Sequence, residues 1–594
     1  MRTFQTCSLA ALALLTVSIP SPAWPQAKNA SPLEDRRKAL NQLFHDYWEA
    51  NLEHSPEFAS SIGDKRYDDK ISAFSVKAYN AWQGEEQNFL MQLAAVDPAG
   101  FTDQEKTSRE LLMRDLAQDL EAAEFKEWEM PVNQMGGIYS DYPQLVAQLS
   151  FKEVKDYDDW IARLHALPKA FNQVMTNMSI GIEDQRVPPK FLMEKTLEQV
   201  KDLANQKPED SPLAMPLKSF PSSIPAAEQE RIKADMLAAI SKEVLPEYQR
   251  FARFLEVTYI PAGRTEPGIS ALPDGAKYYQ FLIRRSTTTD LTPDQIHQIG
   301  LDEVKRDEAE MLEIAKKLGF ADLVSFRASV RTSPKLRPAS ADALLAAYKG
   351  YLEPMKAKLP TLFGHLPKTP FEVVPMWEFL AKNAPQAYYE AGTPDGSRPG
   401  RLRINTYNAT ERNLDNVESV AYHEGIPGHH LQISIAQEQE GVPAFRKYES
   451  YTAFVEGWAL YAEHLGKDVG FYQDPYSDYG RLEADNWRAI RLVVDTGVHS
   501  EHWSRDQMVQ YFHDHSAIDE TNIQAEVDRY IAWPGQALAY KIGQLKILEL
   551  RDRAKKALGD KFDIRAFHDQ VLDAGGVPLD VLSDRVDAWI ASQK

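Results

Sequence analysis

The side chains best suited to chemistry lie in one short segment, Tyr422-His423-Glu424-Gly425-Ile426-Pro427-Gly428-His429-His430. A neutral imidazole is the commonest metal-binding side chain. A glutamate directly after a ligand histidine is placed to take a proton from water that a zinc ion activates. In the usual His-Glu-x-x-His motif the two histidines stand one helical turn apart. Here the fourth residue after His423 is Pro427, which has no ligating atom, and His429 comes six positions on. Six residues of unbroken helix turn through about 600° and rise about 9 Å, which carries His429 well round from His423. Proline removes a backbone donor and clashes with the preceding turn, and glycine accepts unusual dihedrals. A bulge at Pro427-Gly428 would absorb the two additional residues and return His429 beside His423. Without one, His430 lies closer to the face of His423 and is the alternative ligand. The competing reading is a kinked core helix whose histidines are only hydrogen-bonded.

A carboxylate downstream favours the metal. Glu456 lies 27 residues past His429, inside Phe454-Val455-Glu456-Gly457-Trp458-Ala459-Leu460. A carboxylate on an apolar helix face is costly unless it is paired or bound to metal. Two histidines and a glutamate form a catalytic zinc set that leaves a fourth position for water. The expected ligands are therefore His423, His429 and Glu456, the expected ion is Zn2+, and the expected general base is Glu424. Glu463 falls on the same helix face as Glu456 and either orients a ligand histidine or meets solvent. The oxyanion formed in hydrolysis needs a further donor. Two C-terminal segments, Arg491 to His499 and Arg529 to Tyr540, offer His499, Tyr530 and Tyr540. We select His499 and Tyr540; for each, a packed and hydrogen-bonded core residue is the alternative.

Composition narrows the class of protein. The chain has 594 residues, 43% hydrophobic and 26% charged, which is globular and long enough for a large core or several domains. Its net charge of −20 disfavours nucleic acid, whose phosphates are bound by clustered Lys and Arg. Arg2, an apolar run from about Cys7 to Ile19 and then Ser21-Pro22-Ala23 predict a signal peptide over residues 1–27, cleaved after Ala23 or Ala27. That run is too short to span a membrane, and no later segment predicts a membrane span. Cys7 is the only cysteine, and it stands too early to be a lipid-anchor residue. The mature chain would then hold metal through His, Asp and Glu alone, in an exported, periplasmic or secreted setting.

The elements that must position these groups are mostly helices. Leu40, Leu43, Phe44, Tyr47 and Trp48 follow helical spacing within 33–55, and similar patterns cover 103–128, 153–180, 227–257 and 341–358. Thr292 and Pro293 predict a helix start that runs to about Leu318. Residues 130–143 read as irregular, and five prolines between Lys207 and Ala226 read as a loop. Helices are expected over 451–465, 478–503, 505–515, 523–557 and 577–592. Phe371–Pro375 and Arg401–Tyr407 are the strand candidates, separated by a turn cluster at 395–400. The second precedes the metal segment; it reads either as a hairpin strand or as an edge strand open to an extended peptide. No Walker or dinucleotide loop and no Gly-x-Ser-x-Gly elbow occurs.

In combination, His423 to Gln432, Val455 to Glu463, Arg491 to His499, Arg529 to Ala537 and Asp395 to Gly400 resemble the bacterial domain-of-unknown-function family 885, over nearly all of the mature chain. That resemblance implies a distant relationship to the helical gluzincin peptidases, the group of angiotensin-converting enzyme, oligopeptidases and thermostable carboxypeptidases. It implies a mainly α, two-lobed fold with a deep cleft and zinc on His423, His429 and Glu456, to which the strand candidates add a small β-hairpin or sheet beside the active-site helix. The two residues inserted between the histidines depart from the oligopeptidase form. The expected organisation is a signal peptide at 1–27, an N-terminal helical lobe at 28–226 and a catalytic helical region at 227–594, the last two forming one unit. The expected function is a secreted zinc-dependent metallopeptidase acting on short peptides. The rivals are a silent peptide- or metal-binding protein on the same fold and a hydrolase of a non-peptide amide or ester.

Overall fold

Helical periodicity in the sequence becomes helix almost wherever a cap starts it. A computed structural model describes residues 31–376, 385–393 and 398–594. The expected signal peptide, and Asp395 to Ser397 of the turn cluster, lie outside the described residues. Helix α1 (Leu33–His54) buries Leu40 and Phe44. In α2 (Asp103–Ala122), Thr102 and Glu105 satisfy each other's free N-terminal donors in a capping box. In α3 (Pro293–Lys317), Thr292 and Gln295 do the same, with proline at the first helical position. Helix α4 (Ala341–Lys358) follows. After the sheet come α5 (Val417–Glu424), α6 (His429–Gln437), α7 (Thr452–Asp468), α8 (Pro475–His499), α9 (Glu520–Ala532) and α10 (Ala539–Leu558).

Two readings need correction. Residues 138–146 are helical, not irregular, and Pro143 sits within the first turns. As the sixth helical residue it leaves the Tyr139 carbonyl without its helical donor, and the Tyr248 hydroxyl donates to that carbonyl instead, at 2.7 Å. The span 523–557 is not one helix: it breaks after Ala532, where Trp533-Pro534-Gly535 intervenes and Gly535 takes a positive φ of 80°. The break separates α9 from α10.

The sheet has three strands in the order β1-β3-β2: β1 (Phe371–Pro375), β2 (Ala387–Glu390) and β3 (Gly400–Ile404). β1 pairs with β3 in parallel, Val373 opposite Leu402, so these two are not a hairpin. β2 pairs antiparallel with β3, Tyr389 opposite Leu402. The strand read as a hairpin or open edge is thus the central one, with both backbone edges occupied. Its burial explains this: Leu402 and Ile404 are fully buried, which a central position provides.

One hydrophobic cluster joins the sheet to α4, α5, α6, α7 and α10, with Leu402, Tyr422, Trp458 and Ile547 at its heart. A second gathers residues from Val132 to Ile260 across the proline-rich segment. Helices α7 and α10 lie so close that a Cβ on Gly543 would stand 1.8 Å from the Ala453 carbonyl oxygen, and one on Gly457 would stand 2.5 Å from Gly543. Only glycine permits that backbone contact. No helix among the described residues is long and apolar enough to cross a membrane.

Candidate metal centre

Helix α5 ends at Glu424, and the chain passes through a cis Ile426–Pro427 bond before α6 begins at His429. The inserted residues therefore form a break between two helices, not a bulge within one. Gly428 lies against the end of α5, where a Cβ would stand 1.9 Å from the His423 carbonyl oxygen. Trp458 of α7 donates its indole N–H to the Pro427 carbonyl at 2.8 Å, and the His430 N–H returns to the Gly425 carbonyl at 3.1 Å. The break is fixed from both sides, and its effect is to turn His429 back towards His423, their ring centres 4.8 Å apart.

Glu456 meets both rings. Its Oε2 lies 3.5 Å from His423 Nε2 and 3.6 Å from His429 Nε2. One ligand atom from each of the three residues falls within 4.8 Å of the others. Ligands about 2.0–2.1 Å from a tetrahedral zinc stand roughly 3.3 Å apart, so the separations to Glu456 suit a shared ion. Glu456 Oε2 and His429 Nδ1 are buried without a hydrogen bond among the described residues. A buried carboxylate oxygen lacking any donor is unusual unless a cation serves it. The donor set of two imidazoles and one carboxylate fits Zn2+.

The surroundings prepare His423 as a ligand. Its Nδ1–H donates to Glu463 at 2.8 Å, which leaves the Nε2 lone pair facing Glu456. Glu463 also accepts from the Ser419 hydroxyl, and the Arg488 guanidinium lies 3.8 Å away. Glu463 is therefore a buried partner of a ligand histidine, not a solvated residue. Burial pushes the pKa of His423 down, but the Glu456 and Glu463 carboxylates outweigh it and raise the value to about 9. Burial likewise pushes Glu456 up, and the two imidazoles outweigh it, holding that carboxyl well below its usual range. The groups demand positive charge where they meet.

Glu424 stands at the end of α5, half-buried, and accepts the Tyr389 N–H of β2 at 3.0 Å. Its other oxygen takes no hydrogen bond among the described residues. His430 falls outside this cluster: its ring stacks on Phe371 at 4.5 Å and its Nδ1 meets the Tyr389 hydroxyl at 3.0 Å.

The oxyanion candidates separate. His499 is corrected to a structural role. Its Nδ1 accepts the Ile269 N–H at 3.0 Å and its Nε2–H donates to the Tyr530 carbonyl at 3.0 Å, so neither nitrogen remains. Burial lowers its pKa to about 3. Tyr530 is also committed, its hydroxyl donating to Glu526 at 2.6 Å and accepting from Arg491 at 2.9 Å. Tyr540 differs. It leads α10 into the close crossing with α7, and the charge of Glu456 adds to burial in raising its pKa. Among the described residues its hydroxyl only accepts, weakly, from Arg529 at 3.4 Å, so its own proton is available to another acceptor.

Sequence reasoning missed Ser419, Tyr389, Trp458 and Arg488. Trp458 stood in the quoted helix motif and was not given a role. The others act across long chain separations, and no local pattern marks them.

The chain belongs to the family described as bacterial protein of unknown function (DUF885), whose model matches residues 56–586. No curated protein matches the chain. A crystal structure described as a candidate lipoprotein from Colwellia psychrerythraea is similar, with TM-score 0.90 and 29% identity over 94% of this chain and 100% of that one. A candidate lipoprotein of unknown function from Shewanella oneidensis shares the fold, with TM-score 0.73 and 17% identity over 92% of this chain and 99% of that one.

Proposed function

We propose that this family member is an exported zinc-dependent metallopeptidase that hydrolyses short peptides, with Glu424 as general base. The observation that carries the reading is the meeting of one ring nitrogen each of His423 and His429 with a Glu456 oxygen, all within 4.8 Å, at the end of the helix that bears Glu424. A zinc ion held there would supply Lewis acidity and lower the pKa of water. Glu424 takes the proton from the attacking water and passes it to the leaving amine. The Tyr389 N–H holds one Glu424 oxygen, which fixes the direction of the other. Tyr540 donates to the developing oxyanion. The kinship with the gluzincin peptidases belongs to this proposal. Export does too, supported by the leader-like run from Cys7 to Ile19 and by the two similar structures described as candidate lipoproteins.

The test is elemental analysis of the purified protein beside peptide-library hydrolysis. Wild type is expected to hold near-stoichiometric zinc, lost in His423→Ala, His429→Ala and Glu456→Ala and kept in His430→Ala. Glu424→Gln is expected to keep zinc and lose roughly 100-fold or more in rate. Wild type without metal after expression with zinc and no chelator would overturn the metal reading. Undiminished hydrolysis by Glu424→Gln would overturn the mechanism.

A further inference from the structure

A second concentration of charge lies apart from the metal ligands. A cavity of about 630 Å³ opens between α1 and α2 on one side and residues 445–452 and 531–536 on the other. That volume suits a small ligand or a peptide end. Aromatic residues furnish much of its wall: Tyr47 and Trp48 from α1, and Tyr448, stacked on Trp48 at 5.5 Å. Carboxylates line it as well, among them Asp115, Asp119 and Glu449. Asp119 has the Arg285 guanidinium 3.6 Å away. Asp115 and Glu449 have no such partner: among the described residues no Lys, Arg or His nitrogen lies within 4.0 Å of either. Asp115 accepts the Tyr451 hydroxyl, at 2.8 Å and 3.0 Å, and shares a hydrogen bond with Glu449.

Buried carboxylates are ordinarily paired with a cation. Here burial and then the charge of Asp119 raise Asp115 to about 6, and burial and then the charge of Asp115 hold Glu449 well above the ordinary value against the Arg446 guanidinium, which lowers it. The two carboxyls share a hydrogen bond, and Arg446 and Arg114 act on them only from beyond ion-pair distance. A carboxylate pair set among aromatic rings is the chemistry that recognises an ammonium or guanidinium group.

We propose that this cavity receives a cationic nitrogen of the ligand, an amino terminus or a basic side chain, between Asp115 and Glu449 and among the rings of Tyr47, Trp48 and Tyr448. The cavity adjoins the metal centre through two elements. Thr452 lines it and opens α7, and Glu456 follows one turn later, about 6 Å along the axis. Gln536 lines it and accepts from Arg529 at 2.6 Å, the residue that also reaches Tyr540. A peptide with its cation here would therefore extend towards the metal ligands. That consequence rests on the peptidase reading; cation binding does not.

The test is calorimetric titration of the full-length protein with n-butylammonium, as a basic side-chain probe, and with alaninamide, as an amino-terminal probe. Neutral 1-butanol and propionamide serve as their controls. At least one cation is expected to bind ten-fold or more tightly than its control, and which one does so identifies the source. Asp115→Asn with Glu449→Gln should weaken that binding ten-fold or more, whereas Glu424→Gln should leave it unchanged. If the double variant does not fold, Trp48→Leu replaces it, with a loss of five-fold or more expected. Cations that bind no better than their controls, or equally well to the folded variant, overturn the proposal whether or not the protein hydrolyses peptides.

Discussion

At the scale of single residues, the centre depends on groups one contact removed from the ligands. Glu463 holds His423 in the tautomer that leaves Nε2 free, so Glu463→Gln should weaken metal binding by between about 10-fold and 100-fold while the fold persists. Competition against a chromophoric chelator would measure this; an unchanged affinity would make Glu463 merely a packed carboxylate. Tyr540 and His499 make opposite predictions. Tyr540→Phe removes a donor and little packing, so kcat should fall by roughly 100-fold or more with little change in melting temperature. His499→Ala strands the Ile269 N–H and the Tyr530 carbonyl, each costing about 1–3 kcal/mol. It should lower the melting temperature and leave the kcat of the folded fraction near wild type. The sequence led to both residues for the same reason, a donor in a suggestive motif. It could not tell them apart, because residue type does not say whether a ring nitrogen is already taken by a backbone group hundreds of positions away.

At the scale of elements, the site is the product of one break and one crossing. The break turns His429 back to His423, and it requires Gly428, whose Cβ would meet the His423 carbonyl at 1.9 Å. The crossing brings α7 onto α10 through Gly457 and Gly543, and so sets Glu456 beside Tyr540. Gly428→Ala and Gly543→Ala should each lower stability by about 1–3 kcal/mol through overpacking and should lose metal affinity as well. Thermal unfolding of the chelated protein, read beside zinc content, separates the two effects; full zinc occupancy in either variant would mean that its contact does not position the ligands. These elements were unequally legible. One helix start carried its own signal, Thr292 followed by Pro293, since caps are local chemistry. Pro427-Gly428 announced an interruption, though periodicity alone suggested a bulge where two helices meet. Trp533-Pro534-Gly535 announced another that the strong flanking periodicity obscured. β2, only Ala387–Glu390, is too short to declare itself, and without it β3 could not be recognised as central.

At the scale of the whole molecule, the acidity that the sequence shows as a net charge of −20 divides into two populations. Most carboxylates meet water or a basic partner, and their number says little about stability. A few are buried with their protons held. Asp495 accepts the Tyr279 hydroxyl at 2.6 Å and the Gly535 N–H at 3.1 Å, and burial outweighs both contacts, raising it to about 7. Asp415 is pushed up to about 7 by burial and then by Glu483. Which carboxylates belong to this group depends on the tertiary packing, so composition could not reveal it. Both groups bind their proton more tightly folded than unfolded. Their stabilising contribution is therefore complete below pH about 4, where the unfolded carboxyls are also protonated, and is lost as pH rises through about 7. A shift of about three units corresponds to an order of 4 kcal/mol per group at most. The chelated protein should accordingly melt at a higher temperature near pH 5.5 than near pH 8. Asp495→Asn keeps an oxygen for the Tyr279 hydroxyl and the Gly535 N–H but cannot ionise, so it should flatten that dependence, with its largest gain over wild type above pH 7. An Asp495→Asn profile that runs parallel to wild type across this window would assign the pH dependence to other groups.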